Sequence, residues 1–170
     1  MLDQAAAHNF QGIEIFYEDL EYFTREQSGL SAAETPSSTS LLHATKTTKM
    51  LCGQRKLVII GLQPFLHYES LLDRKAYEQR IDKLKLWFEI AKALGTDTIQ
   101  IPGNFLSKEE ITGDLDVVVG DLQEVVDMGV QQSPVVKFAY ENLCWSTYFY
   151  TWEKGYDLVK RVDRENLGCV

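Results

Sequence analysis

A glutamate closes the apolar run Val135-Val136-Lys137-Phe138-Ala139-Tyr140-Glu141. The β-branched and aromatic residues ahead of it predict a strand entering a core. In a parallel α/β protein the carboxyl ends of the strands make the rim where ligands sit. A carboxylate there is either a solvated rim residue or a hard oxygen ligand for a divalent cation. Other polar residues hold comparable places: Glu14 in Ile13-Glu14-Ile15-Phe16, Gln63 after Leu57 to Leu62, and Asn104 after Pro102-Gly103. His67 is the one histidine near a predicted strand end, since His8 and His43 fall on predicted helices. Each has an ordinary structural reading beside the chemical one. Gln63 caps its turn, Tyr68 packs under a loop, Glu14 makes a salt bridge, Asn104 shapes a rim turn, and a lone histidine is solvated.

The elements that must position these residues are legible from periodicity. Five short apolar runs, Ile13 to Phe16, Leu57 to Leu62, Thr98 to Ile101, Val135 to Tyr140 and Gly168 to Val170, start about 30 to 45 residues apart, the spacing of a repeated strand–helix unit. Between Arg74 and Leu94 the residues Tyr77, Ile81, Leu84, Trp87, Phe88, Ala91 and Leu94 form a helical stripe that Gly95 stops. Asp114 precedes a second stripe, Leu115 to Val126, closed at Met128-Gly129. Ser38 to about Gly53 and Glu153 to about Val162 read as further helices, and Leu2, Ala5, Ala6 and Phe10 as an amphipathic opening helix. The turn-like stretches at 35–38 and 133–134 are too short to separate domains.

Composition narrows the function classes. A length of 170 residues suits one core, and 45% apolar with 25% charged residues is a soluble globular balance. No run of about twenty apolar residues spans a bilayer, and the opening residues do not form a secretory leader. With 17 Lys and Arg against 25 Asp and Glu, the net charge of -8 disfavours a phosphate-gripping surface, so neither nucleic acid nor membrane is an expected partner. Cys52, Cys144 and Cys169 are odd in number and widely spaced, which suits a reducing, cytoplasmic location.

Alternating strands and helices imply a parallel sheet with helical cover. No strand is followed by Gly-x-Gly-x-x-Gly, which disfavours a doubly wound dinucleotide fold. Polar residues at several strand ends favour a (β/α)8 TIM barrel. About five parallel strands do not close one, so the expectation is a partial barrel, a single domain over 1–170, incomplete at both ends. Raw apolar strand edges would then invite aggregation or an oligomeric partner.

Several segments resemble the fungal-type 3-dehydroshikimate dehydratases of the xylose-isomerase-like barrel superfamily. These are Phe10-Gln11-Gly12-Ile13-Glu14-Ile15-Phe16-Tyr17-Glu18-Asp19-Leu20, Gly61-Leu62-Gln63-Pro64-Phe65 with His67-Tyr68-Glu69, Ile111 to Asp116, Tyr140 to Thr147, and Val162-Asp163-Arg164 with Asn166-Leu167-Gly168. The resemblance implies a lyase that removes water from 3-dehydroshikimate to give protocatechuate, a step of quinate and shikimate breakdown. It implies a divalent cation, Mg²⁺ or Mn²⁺, with Glu141 as one ligand. A hard cation beside a ketone stabilises the enolate left by proton removal. Gln63, Tyr68, Glu14, Asn104 and His67 are then the candidates to bind a hydroxylated cyclohexene carboxylate. Tyr148 stands where many relatives carry His, and Leu66 where bacterial relatives often carry Arg. The remaining ligands of the resembled family lie on later strands, so the chain by itself is expected to be a fragment of low activity. A sugar or sugar-phosphate isomerase/epimerase on the same barrel, or a non-catalytic remnant, are the alternatives.

Overall fold

A computed structural model describes all 170 residues. Along the chain run α1 (Leu2–Ala7), β1 (Gly12–Phe16), α2 (Tyr17–Ser28), α3 (Ser38–Gln54), β2 (Val58–Gln63), α4 (Arg74–Leu94), β3 (Thr98–Pro102), α5 (Leu115–Val130), β4 (Lys137–Glu141), α6 (Trp152–Val162) and β5 (Leu167–Cys169). The expected alternation is present, and no helix is long and apolar enough to cross a membrane. Residues 1–63 and 89–97 form one unit, and residues 64–88 and 98–170 a second.

In the first unit β1 pairs parallel with β2, Gly12 opposite Val58 and Phe16 opposite Gln63, with a register shift between Ile13 and Glu14. Ile15, Leu20, Leu41, Ala44, Leu62 and Ile90 are buried between strands and helices. Ser37 caps α3 by accepting from the Ser40 N–H at 3.1 Å. Gly95 stops α4 at φ 82°, the left-handed conformation that glycine adopts without a Cβ penalty. Helix α2 has no counterpart in the sequence reading. It begins directly after β1, with Phe16 at the N-cap position and no side-chain cap. Its boundary therefore lacks the capping side chain that normally announces a helix start. Glu18 and Asp19 in its first turn complement the helix dipole instead.

In the second unit β3 pairs parallel with β4, and β4 with β5. Strand β4 starts two residues later than the apolar run suggests and includes Glu141 as its last residue. The Val136 N–H is already committed to the Gly129 carbonyl at 3.0 Å, which holds Val135-Val136 in the turn leaving α5. Ile99, Ile101, Phe138 and Tyr140 are buried, together with Val118, Leu122, Val125 and Val126 of α5 and Leu158 of α6. Asp114 caps α5 by accepting from the Asp116 N–H at 2.9 Å. Asn166, 7% exposed, donates its amide to the carbonyls of Val126 and Val136, both at 2.9 Å, and so ties the approach to β5 onto α5 and the turn ahead of β4.

Helix α5 lies close on β4 at Gly129. A Cβ there would meet the Phe138 ring at 2.6 Å and the Val136 carbonyl oxygen at 2.8 Å. Gly120, on the exposed side of the same helix, has nothing within 4 Å of a Cβ. The two glycines therefore predict opposite signs. Gly129→Ala should destabilise by about 1–3 kcal/mol, the usual cost of overpacking a core. Gly120→Ala should stabilise by about 0.5–1 kcal/mol through helix propensity. Urea unfolding of the two variants checks both.

Candidate functional site

Register and alternation decide where Glu141 points. Gln100 sits opposite Ala139 and Pro102 opposite Glu141, while Ile99 and Ile101 sit opposite Phe138 and Tyr140. Side chains alternate across a strand. Burying Ile99, Ile101, Phe138 and Tyr140 on one face thus sends Gln100 and Glu141 to the other. There the Gln100 Nε2 donates to Glu141 Oε2 at 2.8 Å. The amide fixes the carboxylate and leaves its second oxygen available. Gln100 Oε1 is buried without a partner. Beyond β3 the Gly103 N–H donates to the Glu141 backbone carbonyl at 2.8 Å, so the ladder runs one residue into the following loop.

A second cluster joins the β2–α4 connection (64–73) to the β3–α5 connection (103–114). Asn104, 5% exposed, is its centre. Its N–H donates to Glu69 Oε1 at 2.8 Å and its side-chain Nδ2 to the Glu69 carbonyl at 2.9 Å. Its Oδ1 accepts from the Leu106 N–H at 3.1 Å and lies 3.0 Å from His67 Nδ1. An amide oxygen can only accept, so His67 carries its proton on Nδ1 and presents Nε2 as a free lone pair in the neutral ring. The ring stands edge-on to Phe105 at 4.3 Å between centroids. His67 and Ser70 both have positive φ, 56° and 63°, and backbone strain of this kind persists only where surrounding contacts over-determine it. Here the Ser70 N–H donates to Asp121 Oδ2 at 2.8 Å, the Thr112 N–H to the Ser70 carbonyl at 2.9 Å, and the Leu72 N–H to the Glu110 carbonyl at 2.9 Å. Arg74 grips Asp121 with two nitrogens at 2.7 and 3.0 Å while lying 3.8 Å over the Tyr77 ring.

The connection after β4 is tied down by the same neighbours. Thr147 N–H donates to the Asn104 carbonyl at 3.0 Å and Ser146 Oγ to the Gly103 carbonyl at 3.1 Å. Tyr148, the residue that departs from the resembled pattern, lies with its ring against Gly113.

Of the residues singled out from sequence, Glu141 meets Gln100, and His67 meets Asn104. In the first unit Gln63 Nε2 donates to Glu14 Oε2. Glu14 also lines a cavity of about 540 Å³ that is otherwise largely apolar, walled by Leu2, Phe10, Leu20 and Phe23. Tyr68 is fully buried and packs on Phe65, ring centroids 5.3 Å apart. Sequence reasoning passed over Gln100 and Glu69. Gln100 had a signal, a lone amide flanked by Ile99 and Ile101 in an apolar strand. Glu69 had none, because a loop glutamate is ordinarily solvated.

Parallel strands alternating with helices, with Gln63 closing β2 and Glu141 closing β4, define a protein of the β/α-barrel class. The chain belongs to the xylose isomerase-like TIM barrel family, whose model matches residues 2–170. It is 44% identical over 171 residues to a 3-dehydroshikimate dehydratase of Neurospora crassa, covering 98% of this chain and 47% of that protein. The chain thus spans about half the length of this curated relative. Among solved structures, a xylose isomerase-like TIM barrel/4-hydroxyphenylpyruvate dioxygenase fusion protein matches with TM-score 0.78 at 24% identity, over 99% of this chain and 23% of that one. The IolI protein with a bound zinc atom matches with TM-score 0.73 at 21% identity, over 99% and 55%.

The Asn104 side chain is the joint of the second cluster. Asn104→Ala removes its three side-chain hydrogen bonds and should lower stability by about 1–3 kcal/mol. Hydrogen exchange should show the Leu106 amide, whose acceptor is lost, opening faster in the variant than in the parent.

Proposed function

We propose that this chain carries the Glu141 side of the active site of a 3-dehydroshikimate dehydratase, a lyase that converts 3-dehydroshikimate to protocatechuate. The 44% identity to the Neurospora enzyme over nearly the whole chain is the observation that carries the reading. Glu141, held by Gln100 at the carboxyl end of β4, is where such a site would place a hard oxygen donor. The donor set fits a divalent cation in part. Glu141 offers one free carboxylate oxygen, and the buried Gln100 Oε1 beside it lacks a partner. No group of three His, Cys, Asp or Glu in these residues is arranged to hold a metal ion, so Glu141 is one ligand of a set these residues do not complete. The cation, when bound, supplies electrostatic stabilisation to the enolate oxygen formed when the carbon beside the ketone loses its proton. Mg²⁺ or Mn²⁺ suits an oxygen donor of this kind, and the zinc in the IolI neighbour keeps zinc as a further option.

The chain's own residues have separable roles in this reading. Gln100 orients the Glu141 carboxylate, since a ligand whose second oxygen is hydrogen-bonded presents the first in a fixed direction. His67 Nε2 accepts from a hydroxyl of the ring, and Asn104, enclosed and hydrogen-bonded through both side-chain polar atoms, holds His67 in place rather than touching substrate. In the first unit Gln63 ends β2 and bonds Glu14, which lies midway along β1 rather than at its end as its place in the apolar run suggests. Tyr68 supports the loop from beneath. Three free thiols, Cys52, Cys144 and Cys169, agree with a reducing, cytoplasmic setting.

The test uses the full-length gene product that contains these residues, with added Mg²⁺ or Mn²⁺, and follows the ultraviolet absorbance of the aromatic product. Glu141→Gln should lower turnover at least about 100-fold with an unchanged circular dichroism spectrum, and Gln100→Leu roughly 10–100-fold. Near-normal turnover by Glu141→Gln at limiting metal would refute the assignment. The 170-residue chain by itself should dehydrate 3-dehydroshikimate poorly, because one carboxylate in water does not hold such a cation tightly. Robust turnover by that chain as a monomer would overturn this expectation.

A further inference from the structure

Glu69 is a carboxylic acid in the wrong place for a charge. Its residue is 1% exposed, and its Oε2 is buried without a partner. The hydroxyls of Tyr68 and Tyr140, both fully enclosed, are also unpartnered, and both tyrosines interact electrostatically with Glu69. The titratable groups whose charges act on Glu69 or on these tyrosines are Asp121 on α5, Tyr77 on α4 and Cys169 on β5, with Arg74 on α4 beside Asp121. Arg74 is the single cation among them, and its guanidinium is committed to Asp121. Asp121 is itself an anion. An ionised Glu69 would therefore be a buried negative charge facing a second one, an arrangement proteins avoid by neutralising the group.

We propose that Glu69 is a positioning residue: as a neutral acid it locks the β2–α4 connection onto the β3–α5 connection, holding His67 and Asn104 in place, and its ionisation releases them. Oε1 accepts the Asn104 N–H at 2.8 Å, so the proton resides on Oε2, which is enclosed and unpartnered. The Glu69 carbonyl accepts from Asn104 Nδ2, and Asn104 Oδ1 in turn holds His67. Burial pushes the Glu69 carboxyl up to about 8, against the pull of backbone N–H groups and with Asp121 adding to the rise. Ionisation places a charge in a loop already strained at His67 and Ser70, and water reaches that charge only if the loop opens. This lock is independent of the dehydratase reading, because it is measured without substrate.

The linkage sign is definite. A carboxyl that titrates near 8 when folded and near 4.5 when unfolded keeps its proton longer in the native state. Native stability is then full below about 4.5 and falls as pH rises toward about 8. Thermal unfolding of the full chain and of Glu69→Gln across pH 5 to 9 is the experiment, compared as the difference between the two proteins. Glutamine keeps the acceptor for Asn104 and cannot ionise. The melting temperatures should agree near the acid end and separate progressively in favour of Glu69→Gln toward the alkaline end. Parallel pH profiles would overturn the proposal. Two NMR readouts of the unmutated protein stand even if the variant does not fold. The Glu69 carboxyl carbon should titrate near 8, and the His67 Cε1 resonance should report the same event. A Glu69 carbon titrating in the ordinary carboxylate range, or a His67 resonance that does not move together with the Glu69 carbon, would also overturn it.

Discussion

The two-residue alternation of β3 and β4 is the constraint on which the candidate site depends. Ile99, Ile101, Phe138 and Tyr140 are all but fully buried, and each large apolar side chain so buried contributes about 1.5–3 kcal/mol. A slip of one residue would move all four to the opposite face and carry Gln100 and Glu141 into the core. Core packing therefore enforces the direction of the carboxylate more strongly than any contact the carboxylate makes itself. The Gln100 amide, through a single hydrogen bond of 2.8 Å, refines a direction already chosen.

The connections after β2, β3 and β4 solve a different problem. They lack regular pairing apart from the bridge between Leu71 and Ile111, and they hold two non-glycine residues at positive φ. Their order comes from side chains that replace the missing ladder, with Asn104, Asp121, Ser146 and Thr147 each meeting backbone groups of a neighbouring connection. Buried polar groups are satisfied this way in most proteins. The unpartnered oxygens are confined to a few positions, among them Tyr68, Glu69, Gln100 and Tyr140. Buried polar atoms left bare beside a rim are a common mark of a site whose requirements compete with stability.

Much of this was readable in advance because it rests on local chemistry. The Asp114 cap, the stop at Gly95 and the apolar stripe from Tyr77 to Leu94 act within one or two helical turns, where sequence order and spatial order coincide. The same holds for the end of β4, since a β-branched and aromatic run declares its own period and Glu141 ends it. Helix α2 escaped because Phe16 serves as its N-cap without any capping side chain, so neither propensity nor punctuation marked the change from strand to helix. The start of β4 shifted because the Val136 N–H is claimed by Gly129, a partner in the preceding helix.

Sequence alone determined the strand–helix alternation, the parallel pairing it demands and the carboxylate at the end of β4, because these follow from periodicities of two and three to four residues. It also carried, through motif resemblance, the family to which the chain belongs. Only the tertiary structure decided that Glu141 leans on Gln100, that His67 is held through Asn104, and that Tyr68 faces inward. Each of these contacts joins residues 37 or more positions apart, or depends on burial. Only the tertiary structure, too, made Glu69 exceptional. A glutamate in a polar loop has no unusual chemistry until the chain closes over it, and desolvation is a property of the enclosure rather than of the residue.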